Sequence, residues 1–283
     1  MTDRKRDMLS VPGATLYYEV RGSGPLLLVS QSGEGDANRS DAMVDHLTDR
    51  YTVATYDRRG LSRSTAEDPT LPVTPQTHGE DLHHLLAALT DRPALVLGCS
   101  LGALYGLHLV AAHPGQVATL IAHDPATPAL LPAAERARIR GILADVQAVH
   151  RREGWAPALR KVADAVGIDP ATMETEPGFT MPPMTAERIA NIEYYLDNDI
   201  SELRDSTLGA GDLAAVATPG ATSPRIVAAA GRNSHAAWNY RCAEELATLL
   251  GTPVADFPGG HNGNTTHPLA FASRLHQLLS ATP

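Results

Sequence analysis

Residues 95–103 read Leu-Val-Leu-Gly-Cys-Ser-Leu-Gly-Ala, an apolar run that passes through Gly-x-Ser-x-Gly into the helical spacing of Tyr105, Leu107, Leu109 and Val110. A strand that turns at once into a helix needs a very tight connection. Such a connection holds its serine in strained geometry with the hydroxyl exposed above a sheet. Gly98 and Gly102 let neighbouring backbone approach closely, and the first peptide N–H of the helix, at Leu101, points where an oxyanion would form. Ser100 is therefore the candidate nucleophile, in a chain that must supply a sheet beneath it.

The rest of the pattern supplies that sheet. Period-2 stretches at Asp7 to Val11 and Thr15 to Val20, joined by Pro12-Gly13, predict an edge hairpin. Apolar or β-branched runs predict strands at Leu26 to Val29, Tyr51 to Tyr56, Ala94 to Leu97, Val117 to Ala122, Arg225 to Ala230 and Pro253 to Phe257. Helical spacing falls between them, at Ser40 to Leu47, Thr77 to Leu89, Leu101 to Ala112, Ala236 to Leu250 and Leu269 to Leu279. This alternation implies an α/β fold, a mostly parallel sheet of eight strands with helices on both faces and catalytic groups at the strands' carboxyl ends.

Between about Thr127 and Ala215 the strand signals stop. Ala133 to Arg151, Pro157 to Ala165 and Glu187 to Leu196 read as helices, and Pro177 to Pro183 as a loop. We expect a core of residues 1–126 and 216–283 interrupted by a helical cap over 127–215. A separate domain is the alternative, but no polar linker flanks the segment. Trp155, Phe179, Met181, Met184, Tyr194 and Tyr195 are candidates for a substrate-binding underside, although some will simply pack the helices together.

Composition narrows the function. The net charge of −9, with no run of Lys or Arg, disfavours nucleic acid and anionic membranes as partners and leaves a small molecule. The start at Met1 to Arg6 is charged and no stretch reaches the ~18 apolar residues of a membrane span, so the expected location is the cytoplasm. Two cysteines make no disulfide framework. Cys99 reads as packing rather than redox chemistry, and Cys242 falls on an expected surface helix. No His pair has ligand spacing with a carboxylate on a shared face, since His83 and His84 face different ways, so neither metal nor cofactor is expected.

The order of hairpin, strands, elbow, helical insertion and a late Gly259-Gly260-His261 resembles the α/β-hydrolase family, of the serine esterase or lactonase type, over nearly the whole chain. Asp57-Arg58-Arg59-Gly60-Leu61-Ser62-Arg63-Ser64 is similar to that family's Asp-x-x-Gly-x-x-x-Ser turn. The resemblance implies that His261 is the catalytic base, and its place after an apolar strand and a Gly pair puts it at the same sheet edge as Ser100. Other histidines, His83, His84, His108, His150 and His276, fall in helices as surface or packing residues.

Two departures stand out. The family's usual acid follows the strand at Arg225 to Ala230, and there this chain has Asn233. An amide cannot stabilise an imidazolium as a carboxylate does. Asp124, at the end of the strand next to the elbow, can reach the same histidine from the other side. Some members of the family, the fungal zearalenone lactone hydrolases among them, carry their acid there, and the chain resembles them around Gly98-Cys99-Ser100 and His123-Asp124. The bland alternative is that Asp124-Pro125 is only a loop turn. The second departure is Ser30-Gln31-Ser32-Gly33 where the family often has His-Gly. A backbone N–H serves whatever side chain it carries, so Ser32 or Gly33 can pair with Leu101 in an oxyanion hole.

The leading expectation is a hydrolase of carboxylic esters or lactones, with Ser100, His261 and Asp124 as its triad. Acyl transfer or cyclisation on the same scaffold is a rival. So is a non-catalytic small-molecule binder, for which Asn233 is the best support. The substrate and the oligomeric state are not legible.

Overall fold

The computed structural model describes residues 4–217 and 223–280. The first three residues of the charged start lie outside them, as do residues 218–222 near the expected end of the insertion. The chain opens with β1 (Lys5–Val11), β2 (Ala14–Gly22), β3 (Leu26–Ser30), helix α1 (Asp41–Asp45), β4 (Thr52–Tyr56) and the two-residue β5 (Thr65–Ala66). Then come α2 (Pro75–Leu89), β6 (Ala94–Cys99), α3 (Leu101–Ala112) and β7 (Val117–His123). A helical section follows, α4 (Ala133–Glu153), α5 (Trp155–Ala165), α6 (Ala186–Tyr194), a π-helical turn (Tyr195–Asp199), α7 (Ile200–Asp205) and α8 (Ala210–Ala217). The last part is β8 (Arg225–Gly231), α9 (Trp238–Leu250), β9 (Ala255–Phe257), α10 (Gly263–Thr266) and α11 (Pro268–Ser280).

The strands form one sheet in the order β1-β2-β4-β3-β6-β7-β8-β9, with β5 paired to β2. The eight expected strands make the continuous path, and β5 is a ninth too short for periodicity to reveal. Pro12-Gly13 turns the β1–β2 hairpin, with Gly13 at φ 73° and Val11 opposite Ala14. From β4 onward the pairs are parallel.

Alternation along the buried strands divides the core in two. Leu28 and Val96 belong to a cluster shared with α2, α3, α9 and the helical section, while Leu27, Val29, Leu97 and Cys99 pack against α1 and α11. Helix α3 is buried on nearly every side, as expected of a helix apolar all round. The Cys99 thiol is pushed up to about 12 by burial and by the nearby Asp124 charge, which suits packing and not reactivity. Cys242 is not on a surface: it is fully buried on the inner side of α9.

This topology positions a site. β3 lies between β4 and β6, and the connections to them run over opposite faces, through α1 on one and α2 on the other. A crevice opens at such a switch point, beyond the carboxyl ends of β3 and β6. Ser30 pairs with Gly98 there, so the loop from Gln31 and the elbow at Ser100 emerge side by side. Among the described residues no helix is long and apolar enough to cross a membrane.

Candidate active site

The elbow is tight in the way its glycines require. Ser100 sits at φ 55° and ψ −111°, a left-handed conformation a non-glycine residue adopts only under constraint. Its N–H donates to the His123 carbonyl (2.9 Å), and its own carbonyl accepts from Ala103, Leu104 and Ala126, which stitches the turn to β7. A Cβ on Gly102 would stand 2.0 Å from the Ser30 carbonyl oxygen, and one on Gly98 would stand 2.5 Å from the Gly102 oxygen. Gly102→Ala must therefore part the elbow from β3. We expect a loss of about 1–3 kcal/mol in a thermal or urea melt, with no loss at Gly115→Ala, where a Cβ meets nothing within 4 Å. Leu101, the first residue of α3, has an N–H with no acceptor within its helix.

Asp124 follows β7 with φ 43°, and its N–H donates to the Ala229 carbonyl of β8 (2.8 Å). The side chain is fully buried and one of its oxygens, Oδ2, lies 3.2 Å from His261 Nδ1 and accepts from Ser234 Oγ at 2.8 Å. Asn239 Nδ2 donates to the Asp124 carbonyl at 3.2 Å. Burial opposes ionisation of Asp124, yet its imidazole neighbours and the hydrogen bonds from His261 and Ser234 hold its carboxyl below the ordinary value. Burial also drives His123 down to about 4, leaving it neutral at pH 7 between Phe257 and Phe271.

His261 lies on the loop between β9 and α10, which is tied to the loop after β8 by Arg232 N–H to Phe257 O (2.8 Å) and Asn233 N–H to Gly259 O (2.9 Å). The Asn233 side chain itself turns to Glu174 in the helical section (3.1 Å). The loop where an acid is expected thus supplies a support, Ser234, to the carboxylate on the next strand. Neither Ser234 nor Asn239 was singled out from the sequence, because their use depends on which strand carries the acid.

Ser100, Leu101, Ser32, Gly33 and His261 line one cavity of about 650 Å³, walled mainly by the helical section. Of the residues expected on its underside, Phe179, Met181, Met184 and Tyr195 line it, the two methionines half-exposed at its edge. Trp155 and Tyr194 do not. Trp155 packs onto the core from the start of α5, and the Tyr194 ring covers Gly60, where a Cβ would stand 2.6 Å from it. Adjacent helical residues face about 100° apart, and here the two rings diverge, Tyr194 onto Gly60 and Tyr195 onto Gly33. The walls missed in the sequence are Ile142, Leu143, Val146, Leu159 and Val162 of α4 and α5, and Trp238 of α9. They read there as ordinary packing residues.

The expected helix at Glu187 to Leu196 ends earlier and runs through the π turn into α7. That turn presents Asp199 to Arg58, which is wholly buried. Arg58 also donates to the Gly33 carbonyl and to the Tyr105 hydroxyl (3.3 Å), and the Tyr195 ring lies on Gly33. The loop carrying Ser32 and Gly33 is thereby fixed from behind by a buried arginine and a carboxylate of the helical section.

The same cluster holds a titratable group. Burial, and then the Asp199 charge, raise the Glu202 carboxyl to about 8, with Arg58 opposing. The folded state thus keeps a proton that the unfolded chain loses near 4.5, and stability falls as pH rises from about 4.5 to about 8. Glu202→Gln removes this slope. The variant's unfolding free energy should gain on the parent by more than about 1 kcal/mol between pH 5 and pH 8. Parallel curves for the two proteins would contradict this.

Tertiary structure gathers donors that sequence spacing does not: Glu80, His83 and His113 on an exposed face, and His78, Asp199 and Glu202 in the buried cluster, each set within 4.8 Å. In the first, His113 bonds Glu80 (2.9 Å) and His83 bonds Gln116 (2.7 Å). In the second, the Asp199–Arg58 ion pair already supplies a cation.

Comparison with known proteins agrees with this architecture. The family model of the alpha/beta hydrolase fold matches residues 25–196. The chain is 36% identical over 272 residues to the uncharacterized hydrolase YraK of Bacillus subtilis, covering 96% of this chain and 94% of that one. It is 32% identical over 125 residues to a zearalenone hydrolase of Bionectria ochroleuca, which is 43% of this chain and 47% of the fungal one. Among solved structures, a hydrolase from Pseudomonas aeruginosa PA01 superposes with a TM-score of 0.63 at 26% identity, over 98% of both chains.

Proposed function

Since the chain belongs to the α/β-hydrolase fold family, we propose that it is a serine hydrolase cleaving a carboxylic ester or lactone. The observation that carries this reading is the convergence of a strained Ser100, the His261–Asp124 pair and the Leu101 N–H on one apolar cavity.

Ser100 Oγ attacks the carbonyl carbon while His261 takes its proton. His261 Nδ1 donates to Asp124 Oδ2, which fixes the tautomer and offsets the imidazolium charge. The backbone N–H groups of Leu101 and of Ser32 or Gly33 receive the oxyanion, and His261 returns the proton to the departing alcohol. Water then attacks the acyl-enzyme by the same route in reverse. The chemistry requires no metal or cofactor. Residues 127–215 serve as a cap that closes the cavity over the sheet's carboxyl edge, and the partner is a small ester or lactone, not a nucleic acid or membrane.

Turnover of p-nitrophenyl esters of two to ten acyl carbons tests the reading. Hydrolysis should favour acyl chains longer than acetate, because α4 and α5 give the cavity apolar walls. A protein that turns over neither these esters nor a panel of lactones would favour the non-catalytic binder.

A further inference from the structure

Besides the polar end formed by Ser100, His261, Asn262, Thr265 and Thr266, the largely apolar cavity has one wall where three charged side chains meet. Glu34 accepts from Arg188 through both oxygens, Nε to Oε2 at 2.6 Å and Nη2 to Oε1 at 2.7 Å, and Arg188 Nη1 donates to the Pro182 carbonyl at 2.7 Å. That bidentate pair fully ties the loop after β3 to the insertion. Arg39 reaches the same carboxylate only at its edge, with Nη2 3.2 Å from the Oε1 that Arg188 already holds. Arg39, Glu34 and Arg188 are all mostly buried, with side-chain exposures of 15%, 14% and 16%, and all three line the cavity with Ser100. The next acid, Asp36, accepts from the Asn38 N–H, and burial raises its carboxyl.

Two guanidinium charges therefore share the Glu34 carboxylate inside a largely apolar chamber, and Asp36, which touches neither of them, adds a more remote negative charge. Burying a cation without its own anion is costly, and burial lowers the Arg39 pKa, as expected for a charge that is incompletely compensated. A planar guanidinium with unused N–H groups is suited to receive a carboxylate in a bidentate pair. We propose that Arg39 binds a carboxylate on the substrate, so that the preferred substrates are esters or lactones carrying an anionic carboxylate remote from the carbonyl that Ser100 attacks. This rests on the hydrolase reading above and adds the substrate class to it.

The test compares mono-p-nitrophenyl octanedioate with p-nitrophenyl octanoate at pH 7, a pair that differs only in a terminal carboxylate for a methyl, with six- and ten-carbon pairs run alongside. Wild-type protein should favour the carboxylate ester by at least about tenfold in kcat/KM, mainly through KM, as one charge-assisted contact would give. Arg39→Met should cut that ratio by about tenfold or more, and Arg39→Lys should retain part of it. A wild-type preference for the neutral esters at every length, or a ratio unchanged in Arg39→Met, overturns the proposal.

Calorimetric binding to the wild-type protein keeps the two readings separable. Octanedioate should bind about tenfold more tightly than octanoate, and equal affinities count against Arg39 whatever the turnover. If both esters are cleaved at similar rates, the hydrolase reading stands and only the carboxylate site is lost. If neither is cleaved, the hydrolase reading is what has failed.

Discussion

Asp124→Asn should lower ester turnover by about two to four orders of magnitude, while Asn233→Ala, assayed on the same ester, should stay within about threefold of the parent. The asparagine amide presents either an N–H or a carbonyl to His261 Nδ1. It favours the wrong tautomer in the first case and offers no charge to the imidazolium in either. The fold should survive, because Asp124→Asn is nearly isosteric and its backbone bonds to Ala229 and Asn239 do not involve the carboxylate. Asn233, by contrast, turns its amide to Glu174, away from the imidazole. A crippled Asn233→Ala beside a healthy Asp124→Asn would move the acid to the loop after β8. Circular dichroism and melting curves would confirm that both variants are folded.

The second large effect belongs to Ser100. Ser100→Ala should reduce ester turnover by at least about three orders of magnitude, since the attacking oxygen is gone and the remaining groups can at best polarise the carbonyl for water. Stability should change by less than about 1 kcal/mol. The strain at φ 55° is imposed by the close contacts of Gly98 and Gly102, which an alanine at position 100 leaves in place. A variant with wild-type turnover would place the nucleophile elsewhere.

Much of this arrangement is legible in the sequence because it is local. An apolar run into Gly-x-Ser-x-Gly specifies strand, turn and helix within nine residues, and His261 follows its strand by a Gly pair. Asp124 is legible for a different reason: Asn233 leaves the usual position without a charge, and Asp124 ends the neighbouring strand. What stays hidden depends on contacts across the chain. Gly98 and Cys99 extend β6 past Leu97 through pairing with Ser30, Ala122 and His123 on the neighbouring strands. Tyr194 and Tyr195 are equivalent in the sequence until one ring settles on Gly60 and the other on Gly33. Cys242 reads as surface because the helix around it is mixed in polarity, but that residue falls on the buried face of α9. Arg58 sits within a recognisable turn motif, yet its partner Asp199 lies 141 residues away, and no spacing rule connects them.

The central claim is that Ser100 is an activated nucleophile, and the most direct measurement is the site of covalent modification by a fluorophosphonate. After incubation at pH 7 and proteolysis, mass spectrometry should find one adduct per chain, on the peptide containing Ser100. Labelling should fall by at least about a hundredfold in His261→Ala, which leaves the hydroxyl without its base. An adduct on any other residue, or no adduct on a folded protein, would contradict the account.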